Sequence, residues 1–123
     1  MAAPNLVSPS TITGKTVTVN LTTTTATSVL SNAASSGKAL KVNSLYVANT
    51  TATAANITVN QYSAAALGGT AFPIASTISV PGNATLVVID KEAYIYLEEN
   101  TSLGATAGTS SALQIVCSYE DIS

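Results

Sequence analysis

The stretch Ile74–Glu99, IASTISVPGNATLVVIDKEAYIYLEE, constrains this chain more than any other. Ile74, Ile78 and Val80 share one parity while Thr77 and Ser79 fall on the other, the period-two spacing of a strand with one buried face. Pro81-Gly82-Asn83 ends that run, because proline cannot donate to a ladder and Gly and Asn tolerate positive φ. Leu86–Ile89 resumes as a continuous apolar run of strand length. Tyr94–Leu97 follows a charged corner, Asp90-Lys91-Glu92. Three strands and two turns predict a meander, the rigid centre of an all-β domain, with its charged corners marking exposed ends.

The flanking sequence repeats the same grammar. Thr11–Thr22 places Val17, Val19 and Leu21 on one face and Thr16, Thr18 and Asn20 on the other, and Thr27–Leu30 reads as a short second strand. Lys38–Asn49 is strongly strand-like, but its apolar parity shifts from Leu40 and Val42 to Leu45 and Val47. That shift predicts a bulge near Asn43-Ser44, or else burial on both faces. Ile57–Tyr62 alternates again. Ala64–Ala71 reads as a double-glycine loop with room for a brief helical turn at the alanines. Leu103–Ala107 is a short strand, and Leu113, Ile115, Cys117 and Tyr119 share one face of a closing strand. Short strands, small polar turns and no helix-period segment or fixed repeat point to a sandwich or barrel. The expected fold is a single antiparallel β-sandwich, jelly-roll-like, of about eight strands over residues 11–123. Residues 1–10, with Pro4 and Pro9, read as an extended amino-terminal arm, either disordered or tied to a neighbour.

A chain of 123 residues is one domain in size, and the surface scaling of about 6,100 Å² folded against about 18,000 Å² unfolded allows a core without staples. The single cysteine, Cys117, excludes an internal disulfide and reads as a small apolar core residue. Only 8% of residues are charged, against about a quarter in ordinary domains. Either neutral hydroxyls solvate the outside, or other subunits cover much of it. With no arginine and a net charge of −2, the chain has no basic patch with which to neutralise phosphates, so nucleic acid is not an expected partner. No apolar run is long enough to span a bilayer. The amino terminus lacks the basic and apolar regions of a signal peptide, so folding in a cytoplasm is expected.

No catalytic, cofactor-binding or metal-binding residue is predicted. Histidine is absent, and no serine or cysteine sits in a nucleophile-elbow pattern. Asp90 with Glu92, or Glu98 with Glu99, has the oxygen chemistry for a hard cation, but solvated corner charges are the expected reading. Glu120 and Asp121 are expected to be solvated rather than to bridge to a neighbour's lysine. Five N-x-[ST] triplets, at Asn20, Asn49, Asn56, Asn83 and Asn100, are expected by chance in a chain of this composition. The threonine pairs Thr11/Thr13, Thr16/Thr18 and Thr23/Thr25 lack the repeating coil that a flat ice-binding row needs. Tyr46, Tyr62, Tyr94, Tyr96 and Tyr119 suit half-buried rim positions better than a sugar-binding face, since no tryptophan accompanies them.

The runs GKALKVNSLYVANTTATAANITVNQY, PIASTISVPGNATLVVIDKEAYIYLEENTSLGATA and IVCSYEDIS together resemble small virion structural proteins of tailed phages, especially those of phages of marine bacteria such as cyanophages. The likeness spans nearly everything after about Thr11. It implies a β-sandwich or jelly-roll subunit without enzymatic activity, located in the virion after synthesis in the host cytoplasm. The implied role is a capsid decoration or cement protein that binds the phage major capsid protein or neighbouring virion proteins, as a homo-oligomer. A neck, tail or fibre position and a receptor- or glycan-binding module are the alternatives.

Overall fold

The structure, a computed structural model, describes residues 4–123. Among the described residues nine strands follow one another: β1 (Ile12–Leu21), β2 (Thr27–Asn32), β3 (Ala39–Asn49), β4 (Ala55–Ala64), β5 (Gly68–Val80), β6 (Thr85–Ile89), β7 (Ile95–Leu97), β8 (Thr101–Ala107) and β9 (Leu113–Ile122). They form two antiparallel sheets. The front sheet runs β1-β9-β3-β6 with β7 also pairing β3, and the back sheet runs β2-β8-β4-β5. Two interleaved four-stranded sheets in this order are a jelly roll, so the expected β-sandwich is the observed one, with β7 as a short addition.

The predicted meander does not form. β5 pairs β4 in the back sheet, whereas β6 and β7 both lie along β3 in the front sheet. The Pro81–Ala84 turn therefore carries the chain between sheets instead of closing a hairpin. β5 is an edge strand rather than a rigid centre. Its ladder breaks around Ile74 and again around Ser76-Thr77, where Thr77 has φ 51. These bulges leave Ile74 and Ile78 about 40% exposed while Val80 is buried.

The bulge in β3 lies where the parity shift puts it, between Val42 and Ser44 in the β9 register. It lets Leu40, Val42, Leu45 and Val47 all be buried. They pack with Ile57, Val59, Leu103, Leu113, Ile115 and Cys117 in one core between the sheets. The expected Ala64–Ala71 loop is instead a tight hairpin, with β4 reaching Ala64 and β5 starting at Gly68. Ala66 and Leu67 take φ 55 and 60, costly for residues with a Cβ. Three side chains hold the backbone there. Ala65 N–H donates to Asn100 Oδ1, Ala66 N–H to Ser31 Oγ and Leu67 N–H to Ser102 Oγ. Leu67 in turn covers Gly104 on β8, where a Cβ would meet its Cδ2 at 2.6 Å.

The first three residues of the amino-terminal segment lie outside the described residues. In the remainder, Asn5–Ser8 closes a turn: Ser8 N–H donates to the Asn5 carbonyl at 3.2 Å and Val7 N–H to Asn5 Oδ1 at 3.0 Å. Ser10 and Thr11 N–H both donate to the Ser123 carbonyl, so both ends of the described chain meet beside β1 and β9.

Candidate functional site

The outward face of the front sheet carries the chain's chemistry. Cross-strand register aligns Thr18, Val116, Tyr46 and Val87 in one row over β1, β9, β3 and β6. Tyr46, Val87 and Val116 are 39%, 51% and 38% exposed, an apolar strip across the sheet. Farther along β3, Lys41 lies opposite Tyr96 and holds its Nζ 4.5 Å from the centre of the Tyr94 ring. Tyr94 and Tyr96 meet edge to face at 5.7 Å. The tyrosines thus divide: Tyr46, Tyr94 and Tyr96 are exposed on the front sheet, while Tyr62 is buried in the back sheet and Tyr119 packs against the core.

Between the β3 bulge and the β6–β7 loop lies an open groove of about 610 Å³ lined by Ser44, Tyr46, Val87, Asp90, Lys91 and Glu92. Asp90 is fixed by its own loop, since its Oδ1 accepts from the N–H groups of Glu92 at 3.0 Å and Ala93 at 2.9 Å. Glu98 and Glu99 lie apart from this groove, on the turn into β8, where the Glu98 carbonyl accepts from Thr101 Oγ1. No cluster of three or more metal-ligating side chains occurs among the described residues.

Asp121 departs from the sequence expectation. Far from being a solvated tail charge, its carboxylate is largely buried and takes Lys15 Nζ at 3.0 Å and Lys38 Nζ at 3.2 Å. Burial alone would raise its pKa, but the hydrogen bonds and charges of Lys15 and Lys38 outweigh it and hold the group below the usual carboxylate value. The lysines belong to the same chain, so no neighbour is needed to neutralise it. Cys117 is buried as expected, and burial pushes its thiol up to about 12.

Two buried asparagines carry structural roles that the sequence did not announce. Asn49 Nδ2 donates to the carbonyls of Thr53 and Val80, and its Oδ1 accepts from Thr51 N–H and Thr51 Oγ1. Asn32 does the same at the opposite end, donating to the Lys38 and Leu97 carbonyls and accepting from Ser36 Oγ. Among the N-x-[ST] triplets, Asn49 is therefore a buried brace, and Asn83 and Asn100 occupy left-handed turn positions. Thr23 and Thr25 lie in the loop after β1, bonded to each other, and extend no row from Thr16 and Thr18.

The ten charged residues are segregated. Lys15, Lys41, Glu120 and Asp121 stand on front-sheet strands, and Lys38, Asp90, Lys91, Glu92, Glu98 and Glu99 on loops that enter or leave that sheet. β2, β4, β5 and β8 contain none. The four loops at the far end, residues 22–26, 50–54, 81–84 and 108–112, contain none either. Backbone hydrogen bonds tie these loops to each other and to the strand ends, among them Asn83 N–H to Thr51 O and Thr50 N–H to Ala112 O. Gly82 sits so close to the Ala52 backbone that a Cβ has no room.

No protein-family model matches the chain, and no curated protein matches it. Among solved structures, it is similar to a chain described under "Bacillus endospore appendages form a novel family of disulfide-linked pili", with a TM-score of 0.53, 16% identity, 92% of this chain and 88% of that chain covered. At this identity the likeness concerns the fold.

Proposed function

We propose that this chain is a non-enzymatic structural subunit that works by assembly, and that its place is on the outer shell of a phage particle as a decoration protein. The observation that carries the reading is the charge segregation. A whole sheet and the adjoining loop end, free of ionised side chains, can be pressed against protein without stripping water from any ion, a step that costs several kcal/mol per unpaired charge. The charged front sheet then faces solvent. Ten charges on a surface of 6172 Å² give little colloidal repulsion, which suits close packing of many copies. The resemblance to virion proteins supplies the particle, and the amino-terminal segment, residues 1–10, is the element that reaches a neighbour.

A fibre or tail placement is the second reading. It is favoured by the appendage likeness and by the open side of β1, which pairs through all ten residues with β9 and, among the described residues, has no ladder partner on its other side. Such an edge can receive a strand from a neighbouring copy.

Placing charges on the back sheet tests the proposal. Asn56 and Ser79 are exposed cross-strand partners on β4 and β5. Asn56→Lys with Ser79→Lys should leave the fold intact and reduce binding to particles at least tenfold, whereas Thr16→Lys on the front sheet should not. Equal loss from both, or from neither, overturns the assignment of the contact face.

A further inference from the structure

We propose that β1 is the contact between two copies of this chain, paired antiparallel about a two-fold axis at Val17 so that the two front sheets run on as one. Thr11 and Ser123 exchange both of their backbone hydrogen bonds, and such pairs alternate along an antiparallel ladder. In the unbroken β1–β9 register, Thr13, Lys15, Val17, Val19 and Leu21 therefore bond to β9. Ile12, Gly14, Thr16, Thr18 and Asn20 turn their N–H and C=O groups outward, where no strand of the described residues meets them. The other sheet edges are blunted by the devices that discourage strand addition. β5 carries Pro73, ladder breaks and Thr77 at φ 51. β2 has six residues and a register shift, and β6 and β7 have five and three. β1 has ten residues, no proline and no bulge. Its one charge, Lys15, is drawn back over its own sheet by Asp121.

The occupant that fits this edge is a second β1. A strand that satisfies it along its whole length has to be as long and as regular, and among the edges of the described residues only β1 itself is. Side chains place the axis at Val17. Gly14 then lies opposite the partner's Asn20 and Thr16 opposite the partner's Thr18 as hydrogen-bonded pairs, the second a threonine pair of the kind that favours antiparallel sheets. Val17, half-buried where the sandwich opens, meets the partner's Val17 at a non-hydrogen-bonded rung, where side chains come closest. Lys15 faces the partner's Val19, so the two lysine positions stay about 13 Å apart along the strands. An axis one residue earlier would make them diagonal neighbours, with like charges in reach. A two-fold axis that continues a sheet stands perpendicular to it, so both uncharged back sheets come out on the same side, as a pair pressed onto one shell requires. The inference rests on the reading of the chain as an assembling subunit. Pairing consumes both open edges and closes, which favours the shell over a filament.

Sedimentation velocity of the full chain at concentrations up to about 1 mM tests it and should show a monomer–dimer equilibrium. Thr16→Pro removes only an outward N–H, a change that an edge strand tolerates. It should leave the circular dichroism unchanged and weaken the dimer at least tenfold. Val17→Cys should give a disulfide-linked dimer on mild oxidation, because opposed non-hydrogen-bonded positions hold their Cα atoms about 4.5 Å apart. Asn20→Cys, about 20 Å from its mate in this register, should not, and the buried Cys117 takes no part. The cross-link decides the matter even where Thr16→Pro fails to fold. A chain that stays monomeric throughout leaves the edge to a strand of another protein and overturns the proposal. So does association beyond a dimer, a dimer indifferent to Thr16→Pro, or cross-linking through Asn20 rather than Val17. Because the isolated chain is used, failure here is separate from the loss of particle binding that tests the contact face.

Discussion

Lys15 on β1 and Asp121 on β9 are joined by a 3.0 Å ion pair across the edge of the front sheet, diagonal to the register that sets Lys15 opposite Tyr119. Lys38, on the loop into β3, reaches the same carboxylate oxygen at 3.2 Å. One acidic side chain thus ties together β1, β9 and the start of β3.

That tie should show in the acid stability of the chain. Asp121 has a folded-state pKa below its unfolded value. Its contribution is therefore present above about pH 4 and is lost as pH falls through the folded value. Lys15 is raised, chiefly by its hydrogen bond to Asp121 and then by that charge, so its share is complete below its ordinary value and disappears only as strongly alkaline pH crosses the raised one. Asp121→Asn should lower stability by about 1 kcal/mol at neutral pH, a modest figure because both lysines are nearly half exposed. The same substitution should flatten the decline below pH 4, measured by thermal melts across pH. A variant with an unchanged acid limb contradicts the assignment.

Asn49→Ala should cost more, about 2–3 kcal/mol, because it strips partners from the Thr53 and Val80 carbonyls at a buried position. Denaturant midpoints for Asn49→Ala against Asn20→Ala, an exposed asparagine on β1, check this, with a loss under about 0.5 kcal/mol expected for the second.

Cys117 should not react in the folded chain. Its thiol is fully buried and pushed up to about 12, so little thiolate exists at neutral pH. Modification by a soluble disulfide reagent should proceed only at the rate of unfolding and become fast in denaturant.

Much of the fold was legible in local pattern. Val17, Val19 and Leu21 lie inward of Thr16, Thr18 and Asn20, the parity slip in Lys38–Asn49 is a bulge, and Cys117 is core. Parity, however, tells which face a residue takes and not which strand lies beside it. Pro81–Ala84 reads alike as a hairpin turn and as a crossing between sheets, so the strands of Ile74–Glu99 looked like neighbours when they are not. The Ala65–Leu67 turn was hidden for another reason. Its left-handed residues are not glycine or asparagine, and their support comes from Ser31, Asn100 and Ser102, distant in sequence. The groove was hidden likewise, because Ser44 and Tyr46 meet Asp90 and Glu92 only through the β3–β6 pairing.

The most direct test of the proposed place on a phage shell is a reconstruction of particles assembled with this chain, resolved well enough to orient the jelly roll. The expected result is many symmetric copies, with β2, β8, β4, β5 and the uncharged loop end against the shell and the Asp90–Glu92 loop in solvent. A particle in which the charged front sheet makes the contact while the back sheet faces solvent, or one that lacks the chain from its shell, would contradict it.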